Sequence, residues 1–156
     1  MKKWPFFIIS LLVIVLDQIA KYIVLRSLAP YVSYEFLPSF NFTLVYNTGA
    51  AFSFLSGAGD WHKWFFTIFS SIMSMAIIVW MIRLPNLARK QLFSLSLILG
   101  GAIGNLIDRV CIDHVVDFID IYYKNYHWPV FNIADSAITL GAIMLFLGLN
   151  SSKTVA

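Results

Sequence analysis

Four apolar stretches of bilayer length dominate this 156-residue chain and leave it few folds to choose from. Crossing the hydrocarbon core takes about 20 mostly apolar residues in a helix. The stretches run over about 5–27, 62–82 ("HKWFFTIFSSIMSMAIIVWMI"), 91–110 ("QLFSLSLILGGAIGNLIDRV") and 130–149. Backbone polar groups cannot face lipid unpaired, so each stretch is expected to be a helix. Composition agrees: 12% of the residues are charged, about half the share in a soluble domain. The expected fold is an all-α membrane protein, a single domain over 1–156 with four transmembrane helices and no internal repeat.

The first stretch imitates a secretory signal, with two lysines before an apolar run. It continues through Asp17, Gln18 and Lys21 without a small-residue cleavage site, so it reads as a retained helix. Lys2, Lys3, Arg83, Arg89, Lys90 and Lys153 fall at one side of the spans; Arg26, Lys63 and Lys124 fall at the other, with Arg109 at the boundary. The positive-inside rule puts both termini and the 83–90 loop in the cytoplasm and the longer loops, about 28–61 and 111–129, outside. Basic residues scattered at span ends orient a membrane protein, so the net charge of +3 does not point to nucleic acid. The single cysteine, Cys111, excludes an internal disulfide and reads as a small buried filler.

The first outer loop, "FLPSFNFTLVYNTGAAFSFL", is rich in Phe, Val, Thr and Tyr and partly alternates. It is expected to form short strands, a small β-sheet on the outer leaflet. Gly49 in "Asn-Thr-Gly" marks a turn or bulge with an unusual backbone angle.

Ionisable groups inside a membrane are costly and mark function by default. Asp17 and Lys21 are four apart on one helix face and can pair. Gly101, Asn105, Asp108 and Arg109 follow helical spacing on the third span; Asn132 and Asp135 are three apart on the fourth, with Thr139 one turn deeper. Asp135 sits roughly 8 Å below the outer end of its span, at 1.5 Å per residue. The loop before it carries Asp113, Asp117 and Asp120. Plainer readings exist for several. Asp17–Lys21 reads as a structural pair, Asp108–Arg109 as a cap and a snorkelling end, "GGAIG" as close helix packing, and Asp113 and Asp120 as solvated loop carboxylates. His62, His114 and His127 lack metal-ligand spacing, and no zinc, serine-elbow or P-loop motif occurs. Asp135 needs either Arg109 as a structural partner or a second carboxylate as a chemical one. Two carboxylates brought close share a proton and can activate water against a peptide carbonyl. Spacing does not choose among Asp113, Asp117 and Asp120.

Five blocks then agree in order with a known family: "DQIAK" at 17–21, "YNTGAAFSF" at 46–54, "GGAIGNLIDR" at 100–109, "VVDFI" at 115–119 and "FNIADSAI" at 131–138. Over essentially its whole length the chain resembles the bacterial lipoprotein signal peptidases (signal peptidase II), which are membrane aspartyl peptidases. The resemblance implies that Asp117 and Asp135 are the catalytic aspartates. It implies that Asp17, Lys21, Asn47, Gly49, Gly101, Asn105, Arg109, Asn132 and Ala134 shape the substrate site, and that the strand region 47–54 clamps the peptide. It further implies cleavage of diacylglyceryl-modified prolipoproteins just before the lipidated cysteine, at the outer face of the bacterial inner membrane, with no cofactor and no metal. The chain is expected to act as a monomer among membrane lipid. A small transporter would line a path with polar groups at several depths, whereas the inner halves of spans two to four are nearly all apolar. A non-catalytic lipoprotein-binding protein would leave the second carboxylate unexplained.

Overall fold

The computed structural model describes residues 2–49, 61–85 and 87–151. The strand and clamp expectation over 50–54, and Lys153 in the orientation count, lie outside them. In chain order the elements are α1 (Trp4–Ser27), β1 (Ser33–Leu37), β2 (Phe40–Asn47), α2 (Trp61–Arg83), α3 (Arg89–Ile112), β3 (Val115–Tyr123), β4 (Tyr126–His127) and α4 (Ile133–Ser151). The architecture is an all-α membrane fold with one small open sheet.

The described parts of α1, α2 and α3 are each long and apolar enough to cross a membrane; the described apolar part of α4, Ile133–Gly148, is shorter than that measure. Helix α4 starts three residues later than the sequence led us to expect. Pro129 precedes it, and Asn132 caps it, as the site geometry makes plain.

Helix α3 is the central element: its face carrying Leu92, Leu95 and Leu99 is buried with Ile77 and Met81 of α2, against Phe6, Phe7 and Leu145. Helices α3 and α4 approach backbone to backbone through glycine. A Cβ on Gly141 would lie 2.6 Å from the Ser94 carbonyl oxygen, and one on Gly101 would collide with the Ala134 carbonyl. "GGAIG" is therefore close helix packing, as its small residues indicate. The outward faces of α1 and α2 leave Leu11, Leu16, Ile68 and Ile72 exposed, the pattern of a bundle solvated by lipid.

The sheet is larger than the first outer loop alone would make it. Strands β1 and β2 come from that loop, but β3 and β4 come from the second, giving the antiparallel order β1-β2-β3-β4. The run "VVDFIDIYY" carries the β-branched and aromatic composition of a strand, interrupted by two aspartates. Val116 and Phe118 of β3 pack with Leu44 of β2 and Val24 of α1, seating the sheet on one end of the bundle. Alternation along the strand sends Asp117, between them, to the opposite side.

Two polar residues depart from expectation. Asp120 is buried, accepting from Asn41 Nδ2 at 3.3 Å, Thr43 Oγ1 at 3.1 Å and His127 Nδ1 at 2.8 Å. It is a cross-strand staple instead of a solvated carboxylate, because the strands on either side, β2 and β4, bring it donors. Cys111 is exposed, not a buried filler, since the last turn of α3 projects past the packed bundle.

The close α3–α4 contact yields a test. Gly141→Val should destabilise the fold by about 1–3 kcal/mol, as overpacking does, read as a lower unfolding midpoint in detergent. Gly148→Ala, where an added Cβ meets nothing within 4 Å, should not lower the midpoint, since alanine favours the helix over glycine.

Candidate active site

The N-terminus of α4 organises the site. A helix start leaves N–H groups unpaired, and a buried one needs partners. Asn132 caps it: its Oδ1 accepts the Asp135 backbone N–H at 2.8 Å, and Asp135 Oδ2 accepts the Asn132 N–H at 3.3 Å. This reciprocal pair is a capping box built from "Asn-Ile-Ala-Asp". The Ala134 N–H goes elsewhere, to Asp17 Oδ1 of α1 at 2.9 Å. Two carboxylates thus gather at the positive end of a helix dipole.

Asp117 reaches the same end from β3. It is 1% exposed, and its carboxylate accepts Asn132 Nδ2 at 2.7 Å and Asn47 Nδ2 at 2.9 Å. Asn47 is itself oriented: its Oδ1 accepts the Gly49 N–H at 2.8 Å, a local turn that Gly49 permits at φ 88°. With the oxygen so held, the Asn47 amide turns its NH2 to Asp117. Burial pushes the Asp117 carboxyl up to about 7; the Asn47 hydrogen bond works against this, the nearby Asp135 charge adds to it, and the Asn132 hydrogen bond and the Lys21 charge oppose it.

Asp135 is less buried and accepts Asn105 Nδ2 at 2.7 Å. Asn105 Oδ1 in turn accepts Asn132 Nδ2 at 3.1 Å and Lys21 Nζ at 2.9 Å. Asn105 and Asn132 therefore link the two aspartates and a buried cation. Asp135 also lines a cavity of about 560 Å³ running along α4 past Ser136, Thr139 and Ile143, with Trp128 and Phe131 at its other wall.

The expected Asp17–Lys21 pair is present at 2.8 Å, and Lys21 also binds Asp108 at 2.7 Å. Asp108 is no simple cap. It is buried, and it accepts Gln18 Nε2 at 2.9 Å and the Val116 backbone N–H at 3.1 Å. The sequence marks Asp108 as a candidate on the Asn105 face, with a helix cap as its plainer reading, and gives Gln18 no role. Arg109, offered by the sequence as a partner for Asp135, lies over the Phe66 ring at 5.8 Å and reaches Ser70 Oγ and the Asn105 carbonyl at 3.4 Å each. Asp113, the third candidate carboxylate, is exposed in a left-handed conformation at the C-cap of α3. The fold thus brings Asp117 and Asp135 onto one asparagine network. It carries Asp120 to the far side of the sheet and leaves Asp113 at the surface.

Comparison with known proteins places the chain in a family. The signal peptidase (SPase) II family matches residues 9–150. The lipoprotein signal peptidase of Cupriavidus necator is 51% identical over 138 residues, 88% of this chain and 78% of that protein. That of Alteromonas mediterranea is 48% identical over 141 residues, 90% of this chain and 78% of the relative. A solved structure described as a bacterial membrane enzyme, determined in meso, superposes with a TM-score of 0.82 at 37% identity, covering 93% of this chain and 92% of that one. On a family match across most of its length and relatives about half identical to it, the chain belongs to the signal peptidase (SPase) II family of aspartic membrane endopeptidases.

Proposed function

We propose that Asp117 and Asp135 are the catalytic dyad with which this membrane endopeptidase cuts diacylglyceryl-modified prolipoproteins just before the lipidated cysteine. The observation that carries the reading is the asparagine bridge: Asn132 and Asn105 hold one oxygen of each aspartate at 2.7 Å. The two carboxylates differ in surroundings. Asp117 is buried and its carboxyl is pushed up to about 7. Asp135 opens onto the cavity beside α4. Asp135 is then the base, taking a proton from a water that attacks the scissile carbonyl carbon. Asp117 is the acid, giving its proton to the carbonyl oxygen. Collapse of the tetrahedral intermediate breaks the C–N bond: the leaving nitrogen takes the proton now on Asp135, and one hydroxyl of the intermediate returns its proton to Asp117 as the product carboxyl forms, which restores the one-proton dyad. Asn47, Asn105 and Asn132 hold the carboxylates, Gly49 sets the Asn47 turn, and Gly101 and Ala134 supply the close helix contact. Arg109, beside the dyad, meets the peptide. The chain supplies this chemistry without a cofactor and acts as a monomer in lipid.

The same proposal includes α4 as a fourth span. Its 19 residues extend about 28 Å, close to the roughly 30 Å of a hydrocarbon core. Both termini lie in the cytoplasm and the dyad lies near the outer leaflet. Support comes from the two ends of the bundle. Lys3 Nζ donates to the Ile82 carbonyl, joining the start of α1 to the end of α2 near Arg83, Arg89 and Lys90, while the sheet and the dyad occupy the opposite end.

Cleavage, titration and labelling each test the proposal. Purified protein in detergent should release the signal peptide from a diacylglyceryl-modified prolipoprotein, with the mass of the product fixing the bond cut. Asp117→Asn and Asp135→Asn should each lower kcat by about a thousandfold or more; near-normal cleavage by either folded variant removes that residue from the dyad. The kcat/KM profile should descend as pH rises through about 7, because the acid Asp117 then loses its proton. The folded state also binds the Asp117 proton more tightly than the unfolded state does, so stability falls as pH rises from about 4 to 7. Asp117→Asn should therefore raise the unfolding midpoint at neutral pH and leave it little changed at pH 4. For orientation, in a Cys111→Ser background, Ser39→Cys should react with an impermeant maleimide in intact spheroplasts, and Lys3→Cys only after permeabilisation.

A further inference from the structure

The proposed chemistry leaves one buried cation without a task. Lys21 is 2% exposed, and its ammonium has three neighbours: Asp17 Oδ2 at 2.8 Å, Asp108 Oδ2 at 2.7 Å and Asn105 Oδ1 at 2.9 Å. Three donors meet three acceptors, so no N–H remains for a substrate. An ammonium cannot accept, and Asn105 must therefore turn its oxygen toward Lys21. That choice turns the Asn105 NH2 to Asp135 Oδ1, at 2.7 Å.

We infer that Lys21 is a positioning residue: clamped between Asp17 and Asp108, it fixes the polarity of the Asn105 amide and through it the orientation of the Asp135 carboxylate, without touching substrate. The inference rests on Asp117 and Asp135 being the dyad. Asp108 carries the same constraint to the second aspartate. It accepts the backbone N–H of Val116, the residue before Asp117, at 3.1 Å, and Gln18 holds its other oxygen at 2.9 Å. One cation thereby ties α1, α3 and the strand bearing Asp117 to one arrangement. Without it, the Asn105 oxygen answers only to Asn132 Nδ2, which Asp117 and the Val116 carbonyl also engage. The Asn132 amide stays fixed, because its oxygen holds the Asp135 N–H, but the Asn105 amide loses its cationic partner and can turn, which sets its carbonyl oxygen against Asp135.

The test must separate this role from the cost of unpaired buried charges. Lys21→Met leaves two such charges, whereas the triple variant Asp17→Asn, Lys21→Met, Asp108→Asn removes the whole set, a change that folded proteins often tolerate. Both are compared with wild type on a diacylglyceryl-modified prolipoprotein, reading kcat, KM, the pH profile and the unfolding midpoint. The triple variant should fold yet lose kcat by about tenfold or more, as misplaced catalytic groups do, with KM little changed. The descending limb of its pH profile should move to higher pH, because the Lys21 charge no longer holds the Asp117 carboxyl down. A folded triple variant with wild-type kcat overturns the inference and leaves Lys21 a structural strut. A raised KM at unchanged kcat overturns it in favour of substrate contact. Should the triple variant not fold, Lys21→Gln carries the comparison, since an amide offers both donor and acceptor and cannot dictate polarity; wild-type kcat there is equally fatal. Cleavage that survives Asp117→Asn or Asp135→Asn defeats the dyad reading instead, a separate result.

Discussion

A helix that begins inside a protein must find partners for its first N–H groups, and the start of α4 does so with side chains that also make the site. Asp17 takes one N–H from across the bundle, Asn132 takes another, and Asp135 returns the bond to Asn132. In water such groups would be solvated cheaply. Beside lipid each unmet donor costs several kcal/mol. The cap is therefore a condition of folding, and the carboxylate it fixes one turn inside α4 is the one the proposed chemistry uses. A Leu or Ser at 135 would leave the Asn132 N–H without that acceptor.

Small residues make the cap possible. Asp17 can reach Ala134 only because Gly104 of α3 leaves room: a Cβ there would lie 2.8 Å from Asp17 Oδ2. Gly101, one turn earlier, lets the α4 backbone approach α3 at the Ala134 carbonyl. The glycine face and the polar face of α3 interleave, so packing distance and hydrogen-bond distance are set together. Asn105, next after Gly104 in sequence, meets both Lys21 and Asp135 because the three helices are this close.

Legibility differed by the kind of signal. The helices stood out in the sequence because lipid demands long apolar runs, a constraint that acts on about 20 consecutive residues at once. The dipeptide-scale signals were weaker. Gly49 was readable as a special backbone position, and its φ of 88° is one. Strand β3 is hidden because its two aspartates, a residue type depleted in strands, interrupt the Val, Ile and Tyr around them. For the same reason Asp120 read as solvated: a lone carboxylate in a loop looks alike whether or not strands bring Asn41, Thr43 and His127 to it. Spacing left Asp113, Asp117 and Asp120 equal as partners for Asp135. The strand's alternation, which points Asp117 toward α4 while Val116 and Phe118 pack against Leu44, separates it from Asp120, and Asp113 falls before the strand, at the C-cap of α3.

Placing the second aspartate on a strand instead of a helix has a physical consequence. A helix face repeats every three to four residues, so a carboxylate on it keeps company with neighbours of the same face. A strand alternates, and β3 can bury Val116 and Phe118 in the sheet's apolar core while the residue between them enters a polar network. Asp117 is thereby stripped of water to 1% exposure, yet supplied with two side-chain N–H donors. Asp135, on a helix end beside an open cavity, keeps access to water. Two chemically identical side chains acquire opposite surroundings from the two kinds of secondary structure that carry them. That asymmetry is what a shared-proton pair needs if one member is to hold the proton while the other takes one from water.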